Sequence, residues 1–580
     1  MSAESIDPTE LVRQAKTSTQ LSKAGLSDGA GNCVACGGDV FTTPGTEECA
    51  QVHRQAQGIE PETLPANPDP EAPAPGWEAQ EPPDAEAGEE KKERGPSVAS
   101  QLVETAEESY TFGRTAQDHA YGVAMGSHVA RMLRGSGSLR KDLAGRYWDD
   151  NHRVASAQAL ADALLVIEAK AMHTDPVDVH IRVAEVDGAL WLDMGDESER
   201  VIRVDAKDWK VVDHGPVLFN RTGVGLPLPD PDPTGSITEL WRLLNISKPD
   251  QPLVLGWLLS AWLLVNRPCP ILGLFGEQGT AKTSAGKILA SLVDPTSAEV
   301  RKPPSSEDAW ITAAVASRVV ALDNLSHLSD DWSNTYCRAV TRDADVRRKL
   351  YTDSETEVFK LKKAILMTGI DLGGLRGDFA ERLLRVELET IPGDKRKTDT
   401  EMAEAWQAAR PRILGALLSI TSKIMSVLPR VRLESKPRMA DFAVILAALD
   451  MMMPKGRALE RYLSQLADLA ADTIAADPFI TAMGKRLNGE FRGTSAELLD
   501  YMDDMSLTVG KQWPATAKSL TARLKKAAPS MRKVGWQITK TEPGGRDHTS
   551  VWTIRPPEEG SPDGGREVVP VFPFEGGNAA

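Results

Sequence analysis

The chain has 580 residues and a formal net charge of -16. This length is enough for three or four domains and excludes a single small fold. The negative net charge excludes a protein coated uniformly with nucleic acid, although it leaves room for local basic surfaces. The five cysteines, together with an N-terminus that has no charged-then-apolar leader, predict a cytoplasmic location.

One apolar run, residues 252–265, has the composition of a membrane segment. It is shorter than the roughly 20 residues that cross a bilayer, and Asn266 and Arg267 follow it directly. We therefore expect a buried helix and no membrane association.

The first hundred residues are predicted to be mostly disordered. Residues 1–58 contain a candidate zinc knuckle, because Cys33-x-x-Cys36 and Cys49-x-x-x-His53 have the spacing of zinc ligands. Spare reduced cysteines in an unfolded tail are the alternative. Residues 59–96 are an acidic, proline-rich linker, in which residues 60–93 carry eleven acidic and two basic side chains.

Residues 97–226 are predicted to form a helical region followed by a small antiparallel sheet. From Ser97 to about Ala171 apolar residues recur at helical spacing, as at Met125, Val129 and Met132. From 178 to 212 apolar and polar residues alternate, with turn signals at 187–188 and 195–196. The acidic residues of this sheet are interpreted as solvated rather than catalytic.

The most informative segment begins at residue 271, where an apolar strand pattern leads into a glycine-rich loop and then a helix. Such a loop directs backbone N–H groups at phosphate oxygens, while a lysine neutralises the outer phosphates and a hydroxyl binds Mg²⁺. The second glycine of the usual Gly-x-x-x-x-Gly-Lys-Ser/Thr pattern is replaced by alanine. The predicted nucleotide-binding residues are Gly276, Glu277, Gln278, Gly279, Thr280, Ala281, Lys282, Thr283 and Ser284.

A second apolar strand, residues 318–322, ends in Asp323 and Asn324. Asp323 and Thr283 are the predicted magnesium ligands. Many enzymes of this kind have a glutamate where Asn324 stands, and asparagine cannot accept a proton from the attacking water. Either Asn324 only orients that water, or another carboxylate such as Glu277 or Glu307 acts as the base.

Two further catalytic candidates follow. A third apolar strand, residues 362–367, ends in Thr368, where a polar side chain senses the terminal phosphate. Arg382 precedes a final strand, and it is the candidate arginine finger, which would act on the nucleotide of a neighbouring subunit. An ordinary surface salt bridge is the alternative for Arg382.

Between the second and third strands, residues 345–363 have the pattern of a hairpin with six basic residues. A basic hairpin at this place would project from the core and contact a nucleic-acid backbone. A solvated hairpin without a ligand is the alternative. The candidate DNA-binding residues here are Arg347, Arg348, Lys349, Lys360 and Lys362.

The C-terminal part is predicted to contain a helical lid or bundle over residues 396–508 and a winged-helix DNA-binding domain over 509–556, before a disordered tail over 557–580. Residues 511–540 carry eight basic residues and no acidic one, and two strand patterns around a glycine-rich turn surround residue 546. A basic cap that contacts only protein is the alternative. The DNA-binding candidates are Lys518, Arg523, Lys525, Lys526 and Arg546.

The order of these motifs from about Ser236 to Ile391 resembles the ATPase module of superfamily 3 type helicases in phage and plasmid primase-helicase proteins, and the predicted ATPase core spans residues 236–395. The Thr-Ala-Lys of the loop is similar to that of the minichromosome-maintenance helicases, where alanine before the lysine is normal. The resemblance implies an α/β fold with an AAA+-like P-loop ATPase core, a hexameric ring, and translocation on DNA with ATP and Mg²⁺. Asn324 departs from the acidic pair of many relatives, and no primase motif is evident in the first 230 residues.

The sequence therefore predicts an ATP-dependent DNA helicase or translocase of a phage or mobile-element replication system. Two alternatives remain. One is a replication initiator or loader that binds DNA and ATP without unwinding, and the other is an ATP-binding regulatory module that has lost hydrolysis.

Overall fold

The computed structural model describes residues 96–135, 137–341, 344–348, 356–360, 362–372, 375–453, 456–503, 513–541 and 550–557, and for 344–348 and 356–360 it describes the backbone alone. The candidate zinc ligands Cys33, Cys36, Cys49 and His53 lie outside these ranges, as do residues 60–93, Lys349, Arg546 and residues 558–580. Within the described ranges, no group of three or more His, Cys, Asp or Glu side chains is placed to hold a metal ion.

The N-terminal region consists of helices packed on a four-stranded sheet. Its helices are α1 (Val98–Ser109), α2 (Leu139–Asn151) and α3 (Ala157–Met172), and its strands are β1 (Tyr110–Thr115), β2 (Ala120–Ala124), β3 (Ala130–Met132) and β4 (Pro176–Val177). The strand order is β3-β2-β1-β4, with β1 antiparallel to β2 and parallel to β4.

The prediction of a continuously helical region from Ser97 to Ala171 is wrong over residues 110–132, which form three strands. The helical spacing of Met125, Val129 and Met132 is misleading, because Met125 is exposed in the link between β2 and β3. Glycines mark the strands instead: a β-carbon on Gly122 would contact Leu139 of α2 at 3.2 Å, so the missing side chain lets the helix pack closely.

The predicted small antiparallel sheet is present. Its strands β6 (Val183–Val186), β7 (Ala189–Asp193), β8 (Val201–Val204) and β9 (Trp209–Val212) pair in sequence order. The turn between β6 and β7 has φ 51° at Asp187 and φ 71° at Gly188, the positive values that this residue pair favours in a tight hairpin. Two short strands, β5 (Val179–His180) and β10 (Leu218–Phe219), pair in parallel beside it.

The centre of the molecule is a parallel sheet. Its strands are β11 (Ile271–Phe275), β12 (Val319–Leu325), β15 (Ala364–Gly369) and β16 (Leu383–Glu387), in the order β12-β15-β11-β16. Residue Arg301 adds an isolated parallel bridge to Leu322 on the outer edge of β12. Strand β11 is buried throughout, as expected for an interior strand of a sheet covered on both faces.

Helices connect and cover these strands: α4 (Thr238–Leu243), α5 (Gln251–Leu263), α6 (Lys282–Val293), α7 (Glu307–Val315), α8 (Asp330–Thr341) and α9 (Gly377–Ala380). Helix α5 covers most of the apolar run 252–265, and its residues 253–263 are all buried. The expectation of a buried helix is confirmed for this run.

The predicted hairpin is also present as backbone. Strand β13 (Ala344–Arg348) pairs antiparallel with β14 (Thr356–Lys360), with Val346 opposite Val358. It lies between α8 and the first residue of β15. The loop at residues 276–281 follows the carboxyl end of β11, whereas the hairpin precedes the amino end of β15. Because β11 and β15 are parallel, the loop and the hairpin lie at opposite ends of the strands.

A helical region follows, with α10 (Asp399–Val427), α11 (Ala440–Met452) and α12 (Ala458–Ala475). Helix α10 begins with a capping box in which Thr398 and Glu401 satisfy each other's backbone N–H groups. Residues 399–430 are long and apolar enough to cross a membrane by length and composition, but 56% of the apolar window is buried inside the structure. We interpret α10 as a core helix on that ground.

The C-terminal region contains α13 (Pro478–Arg486), β17 (Phe491–Thr494), α14 (Ser495–Tyr501), α15 (Ala517–Lys533), β18 (Gln537–Thr541) and β19 (Val551–Arg555). The strands form an antiparallel sheet of order β17-β19-β18. One core cluster joins Phe479 and Leu498 to Leu520, Trp536 and Trp552. This packing moves the predicted boundary at residue 509, since the C-terminal unit already begins near residue 476.

Candidate functional site

The glycine-rich loop, residues 276–281, leaves the end of β11 and leads into α6. Gly276 has φ 146° and Gly279 has φ 80°, values that residues other than glycine rarely adopt. A β-carbon on Gly276 would also lie 2.5 Å from the carbonyl oxygen of Leu388. Ala281 adopts the left-handed conformation with φ 61°, at a cost of about 1–2 kcal/mol, which explains why this position of the pattern is usually glycine.

Lys282, the first residue of α6, folds back into the glycine-rich loop. Its Nζ donates hydrogen bonds to the carbonyl oxygens of Gly276 at 2.8 Å and Glu277 at 2.6 Å, and to Thr280 Oγ1 at 3.3 Å. Burial lowers the pKa of Lys282, and the charge of Asp323 opposes this shift. A partly desolvated ammonium whose hydrogen-bond acceptors are all neutral is a favourable partner for phosphate oxygens.

Asp323 lies on β12 beside the start of α6. Its Oδ1 accepts hydrogen bonds from Thr283 Oγ1 at 2.9 Å and from Thr368 Oγ1 at 2.5 Å. The structure thus joins three of the predicted site residues from α6, β12 and β15 on a single carboxylate oxygen. Strands β12 and β15 are neighbours in the sheet, which is why side chains at their carboxyl ends meet here.

Asn324 lies in an irregularity of β12, where the register with β15 shifts between Leu322 and Leu325. It adopts the left-handed conformation with φ 58°, and its backbone N–H donates to Thr368 Oγ1 at 3.1 Å. Asparagine tolerates this conformation better than most residues, whereas glutamate does not. The backbone therefore gives a physical reason for asparagine where many enzymes carry glutamate.

The oxygens of Thr283 and Asp323 fit Mg²⁺, because both are hard ligands and they are already adjacent. The second carboxylate oxygen, Oδ2, has no hydrogen bond recorded within the described residues. Mg²⁺ takes few protein ligands and completes its octahedron with water and phosphate oxygens. This pair alone is therefore a sufficient protein contribution.

Thr368 is 1% exposed, and its hydroxyl both donates to Asp323 and accepts from Asn324. In this arrangement it fixes the Asp323 carboxylate rather than reaching toward solvent. A sensing role for Thr368 would therefore act through the position of Asp323.

Arg382 lies far from the glycine-rich loop of its own chain. It directly precedes β16, level with the start of β11, because the backbone N–H of Ile271 donates to the Arg382 carbonyl at 2.8 Å. At about 3.3 Å per residue, the length of the strands separates it from the loop by roughly 16–20 Å. Arg382 cannot serve this loop, which leaves a neighbouring chain as its target if it is an arginine finger.

The side chain of Arg382 is 6% exposed and paired within the chain. Its Nη1 donates to the Asp378 carbonyl at 2.8 Å and lies 2.5 Å from Asp378 Oδ1, while Nε is buried without a hydrogen-bond partner. It borders an open cleft of about 750 Å³ along α8, which Glu307, Trp332, Cys337 and Arg338 also line. Glu307, one of the two alternative base candidates, lines the same cleft and lies 3.9 Å from Arg338. The other, Glu277, is exposed on the glycine-rich loop.

The predicted DNA-binding residues fall into two groups. Arg347, Arg348 and Lys360 lie on the β13–β14 hairpin, of which the backbone is described, and Lys362 at its base donates to Asn266 Oδ1 at 3.0 Å. On α15, Lys518, Lys525 and Lys526 are exposed while Leu520 and Leu524 are buried, as predicted.

Arg523 has a contact that sequence reasoning did not anticipate. Its guanidinium donates to Asp477 at 2.7 Å and 2.8 Å and lies over the ring of Phe479. These contacts join α15 to the start of α13, so Arg523 has a structural role in the C-terminal unit. Its assignment to DNA stays a prediction.

Sequence reasoning also missed Asn245, which lies between α4 and α5. Its Nδ2 donates to the carbonyl oxygen of Thr280 in the glycine-rich loop at 3.3 Å and to that of Glu389. Asn245 stands more than 30 residues before the loop and belongs to no motif of fixed spacing, so the sequence does not predict this contact.

The fold and the site together define the class: a mixed α/β protein with a glycine-rich loop, a lysine, a threonine and a carboxylate at the carboxyl edge of a parallel sheet. Residues 237–472 match the family model of the Actinomycete integrative conjugative element replication protein, abbreviated AICE RepA. Residues 476–566 match the model of the AICE RepA C-terminal domain. Two stretches of the chain thus match models of AICE RepA replication-protein domains, and the boundary between them agrees with the packing.

Curated proteins give no match to the chain. Among solved structures, the apo A form of the NrS-1 C-terminal region is 12% identical, with a TM-score of 0.33, over 78% of this chain and 98% of that one. A structure titled SCCmec type IV Cch, active helicase, is 8% identical, with a TM-score of 0.33, over 73% of this chain and 78% of that one. These scores are too low to relate the two folds to this one in detail.

Proposed function

We propose that the chain is an ATP-dependent DNA helicase or translocase that acts in the replication of an integrative conjugative element. The observation that carries this proposal is the contact of Thr283 with Asp323 at 2.9 Å, directly beside Lys282. Nucleotide hydrolysis needs a lysine for the phosphates and a hydroxyl–carboxylate pair for the metal in one place. The matches to replication-protein domains support DNA replication as the setting.

In this proposal the chain's own residues position the nucleotide and the attacking water. Lys282 exchanges its loop carbonyl partners for phosphate oxygens, and the backbone N–H groups of residues 276–281 face the phosphates. Thr283 and Asp323 would hold Mg²⁺, whose charge would neutralise the phosphates when bound. Asn324, which is exposed beside Asp323, orients the water.

We further propose that the C-terminal unit is a winged-helix domain. The order α13, β17, α14, α15, β18, β19 and the strand order β17-β19-β18 support it. Helix α15 would then face DNA with Lys518, Lys525 and Lys526, and the β13–β14 hairpin would form a second contact from the ATPase core.

We include a ring oligomer in this proposal, and the place of Arg382 supports it. Because it lies at the edge opposite its own loop, Arg382 contributes to hydrolysis only on a neighbouring chain, and its pair with Asp378 must then open. A hexamer is the ring size that the resemblance implies.

The test is forked-DNA strand displacement by the full chain, measured with ATP turnover in the presence and absence of DNA. Lys282→Ala is expected to abolish turnover and displacement, whereas Lys287→Ala, an exposed lysine on the same helix, leaves both intact. DNA-stimulated turnover without displacement would favour an initiator or loader. Nucleotide binding without turnover would favour a regulatory module.

Two parts of the proposal need their own tests. If Arg347→Ala with Lys349→Ala leaves DNA stimulation intact, the hairpin does not contact DNA. For the candidate zinc knuckle, metal analysis of the full chain is expected to find zinc that Cys33→Ser removes. A metal content that this variant leaves unchanged would contradict the assignment.

A further inference from the structure

A segment that follows β16 lies across the glycine-rich loop. The backbone N–H of Leu388 donates to the Phe275 carbonyl at 2.8 Å, and Thr390 Oγ1 lies 3.5 Å from Glu277 Oε2. Asn245 bridges the same two stretches of chain through its contacts with Thr280 and Glu389. We call residues 388–396 the loop strap, since these hydrogen bonds hold its first part against the loop and the end of β11.

The strap ends in Arg396, whose guanidinium rests on the glycine-rich loop. Arg396 Nη2 lies 2.8 Å, and Cζ 3.4 Å, from the position that a β-carbon on Gly279 would occupy. A side chain at position 279 would therefore have to displace the guanidinium of Arg396, in addition to adopting the strained φ of 80°. Gly279 thus allows both the turn of the loop and the approach of the guanidinium.

The charge of Arg396 is not neutralised by the described part of the chain. Its Nε donates to the Ile391 carbonyl at 3.2 Å, which orients the side chain along the strap, and no ion pair of Arg396 is recorded within the described residues. Lys282 is likewise bonded only to neutral oxygens of the same loop. Two cations on one loop attract an anion, and the outer phosphates of a nucleotide are such an anion.

We propose that Arg396 is a phosphate-binding residue that serves the loop of its own chain. Its planar fork would contact the β- and γ-phosphates from the side of the strap, opposite the single charge of Lys282. The inference rests on the proposed nucleotide site and adds a residue that none of the motifs contains. It also assigns a role to the strap, which holds this arginine at the loop.

The experiment compares equilibrium binding of ATP, ADP and AMP to the full chain, with Mg²⁺ present. Arg396→Ala is expected to weaken ATP binding about 10- to 100-fold, the range for a charge-assisted hydrogen bond, and to leave AMP binding unchanged. Arg396→Lys keeps the charge but loses the fork, so it recovers part of the affinity. Lys395→Ala, the exposed basic neighbour, is the matched control and is expected to change ATP binding less than twofold, or about 0.4 kcal/mol.

The outcomes separate this inference from the proposed function. If wild type binds ATP, Lys282→Ala loses it and Arg396→Ala does not, the role of Arg396 is refuted while the nucleotide site stands. An equal loss for ATP and AMP in Arg396→Ala would show that the arginine only holds the strap, which also refutes the proposal. If wild type binds no ATP, the proposed function fails and this inference fails with it.

Discussion

Thr283 Oγ1 donates a hydrogen bond to Asp323 Oδ1 across 2.9 Å, which joins the first turn of α6 to the end of β12. The two residues are far apart in sequence, and the parallel order of the sheet brings them together. A hydroxyl has two lone pairs besides its proton, so in the proposed site Thr283 would keep this hydrogen bond to Asp323 while it offers a lone pair to Mg²⁺.

Replacing Asp323 by Asn tests this arrangement. Asparagine keeps the shape and accepts the hydrogen bonds of Thr283 and Thr368, but it removes the charge that holds the metal. We expect ATP turnover to fall about 100-fold or more, the scale of removing one electrostatic contact in phosphoryl transfer, while ATP binding without Mg²⁺ is retained. Steady-state turnover against Mg²⁺ concentration measures it, with the exposed Asp468→Asn as control. Unchanged turnover in Asp323→Asn would remove Asp323 from the metal site.

Asn324 gives a second prediction. If its amide orients the attacking water, Asn324→Ala lowers turnover about 10- to 100-fold without weakening ATP binding. Asn324→Asp retains the tolerance for φ 58° and adds a carboxylate next to Asp323. The repulsion between the two negative charges raises the pKa of the introduced carboxyl group. Measuring turnover and ATP affinity of both variants separates these effects. Full turnover in Asn324→Ala would show that another group, such as Glu277 or Glu307, positions or activates the water.

The sequence predicted the strands and loop of the central sheet well, because buried parallel strands such as β11 are short apolar runs between clear turn signals. It also predicted that Asp323 and Thr368 stand at the ends of two apolar strands, whereas the adjacency of these strands, β12 and β15, is known only from the structure. It did not predict the strap or Asn245, since these contacts depend on tertiary packing and leave no periodic pattern. The strands at 110–132 were missed because short apolar runs match helical and strand spacing equally well, and only the glycines within them favour strands.

The contact between Lys533 and Glu381 leads to a third prediction. Lys533 Nζ at the end of α15 lies 2.5 Å from Glu381 Oε1, next to Arg382 in the chain. Gly377 of α9 also lies against Ser530 of α15, so the C-terminal unit contacts the helix that directly precedes Arg382 in the chain. We expect Lys533→Ala to reduce the stimulation of ATP turnover by DNA and to leave the basal rate unchanged.

The double variant Lys533→Glu with Glu381→Lys restores the charge pair and should recover the stimulation. The pair is partly exposed and contributes about 1 kcal/mol or less to stability, so a loss of folding is not expected. Stimulation that is equal in wild type and Lys533→Ala would show that this contact carries no coupling.

Helix α15 gives a fourth prediction. Lys525→Ala with Lys526→Ala is expected to weaken DNA binding at every sequence and to reduce the slope of log K against log salt by about 1 for each DNA phosphate that is no longer neutralised. Arg523→Ala should instead lower the thermal stability of the C-terminal unit, because Asp477 and Phe479 lose their partner. Fluorescence anisotropy at several salt concentrations, with thermal melts of the same proteins, distinguishes the two roles. A steeper loss of DNA affinity in Arg523→Ala than in the lysine variant would reverse the assignment.

A fifth prediction concerns Lys363, at the base of the β13–β14 hairpin, and the dependence of the free energy of unfolding on pH. Its side chain is buried, and Nζ donates to the Ser317 carbonyl at 2.8 Å. Burial lowers its pKa from 10.5 to about 7, the nearby Arg318 and Arg301 act in the same direction, and Asp294 opposes them. Between about pH 7 and 10.5 the unfolded chain therefore binds more protons than the folded one. The free energy of unfolding consequently rises with pH, by up to about 1.4 kcal/mol per pH unit.

Lys363→Met removes this titration and leaves the packing volume similar. The melting temperature of wild type relative to Lys363→Met should therefore rise from pH 7 to pH 9, because only wild type is relieved of the buried charge as the pH increases. Lys287→Met, at an exposed position on α6, is the control and should give a difference from wild type that does not change with pH. Parallel pH curves for wild type and Lys363→Met would show that Lys363 keeps its ordinary pKa in the folded chain.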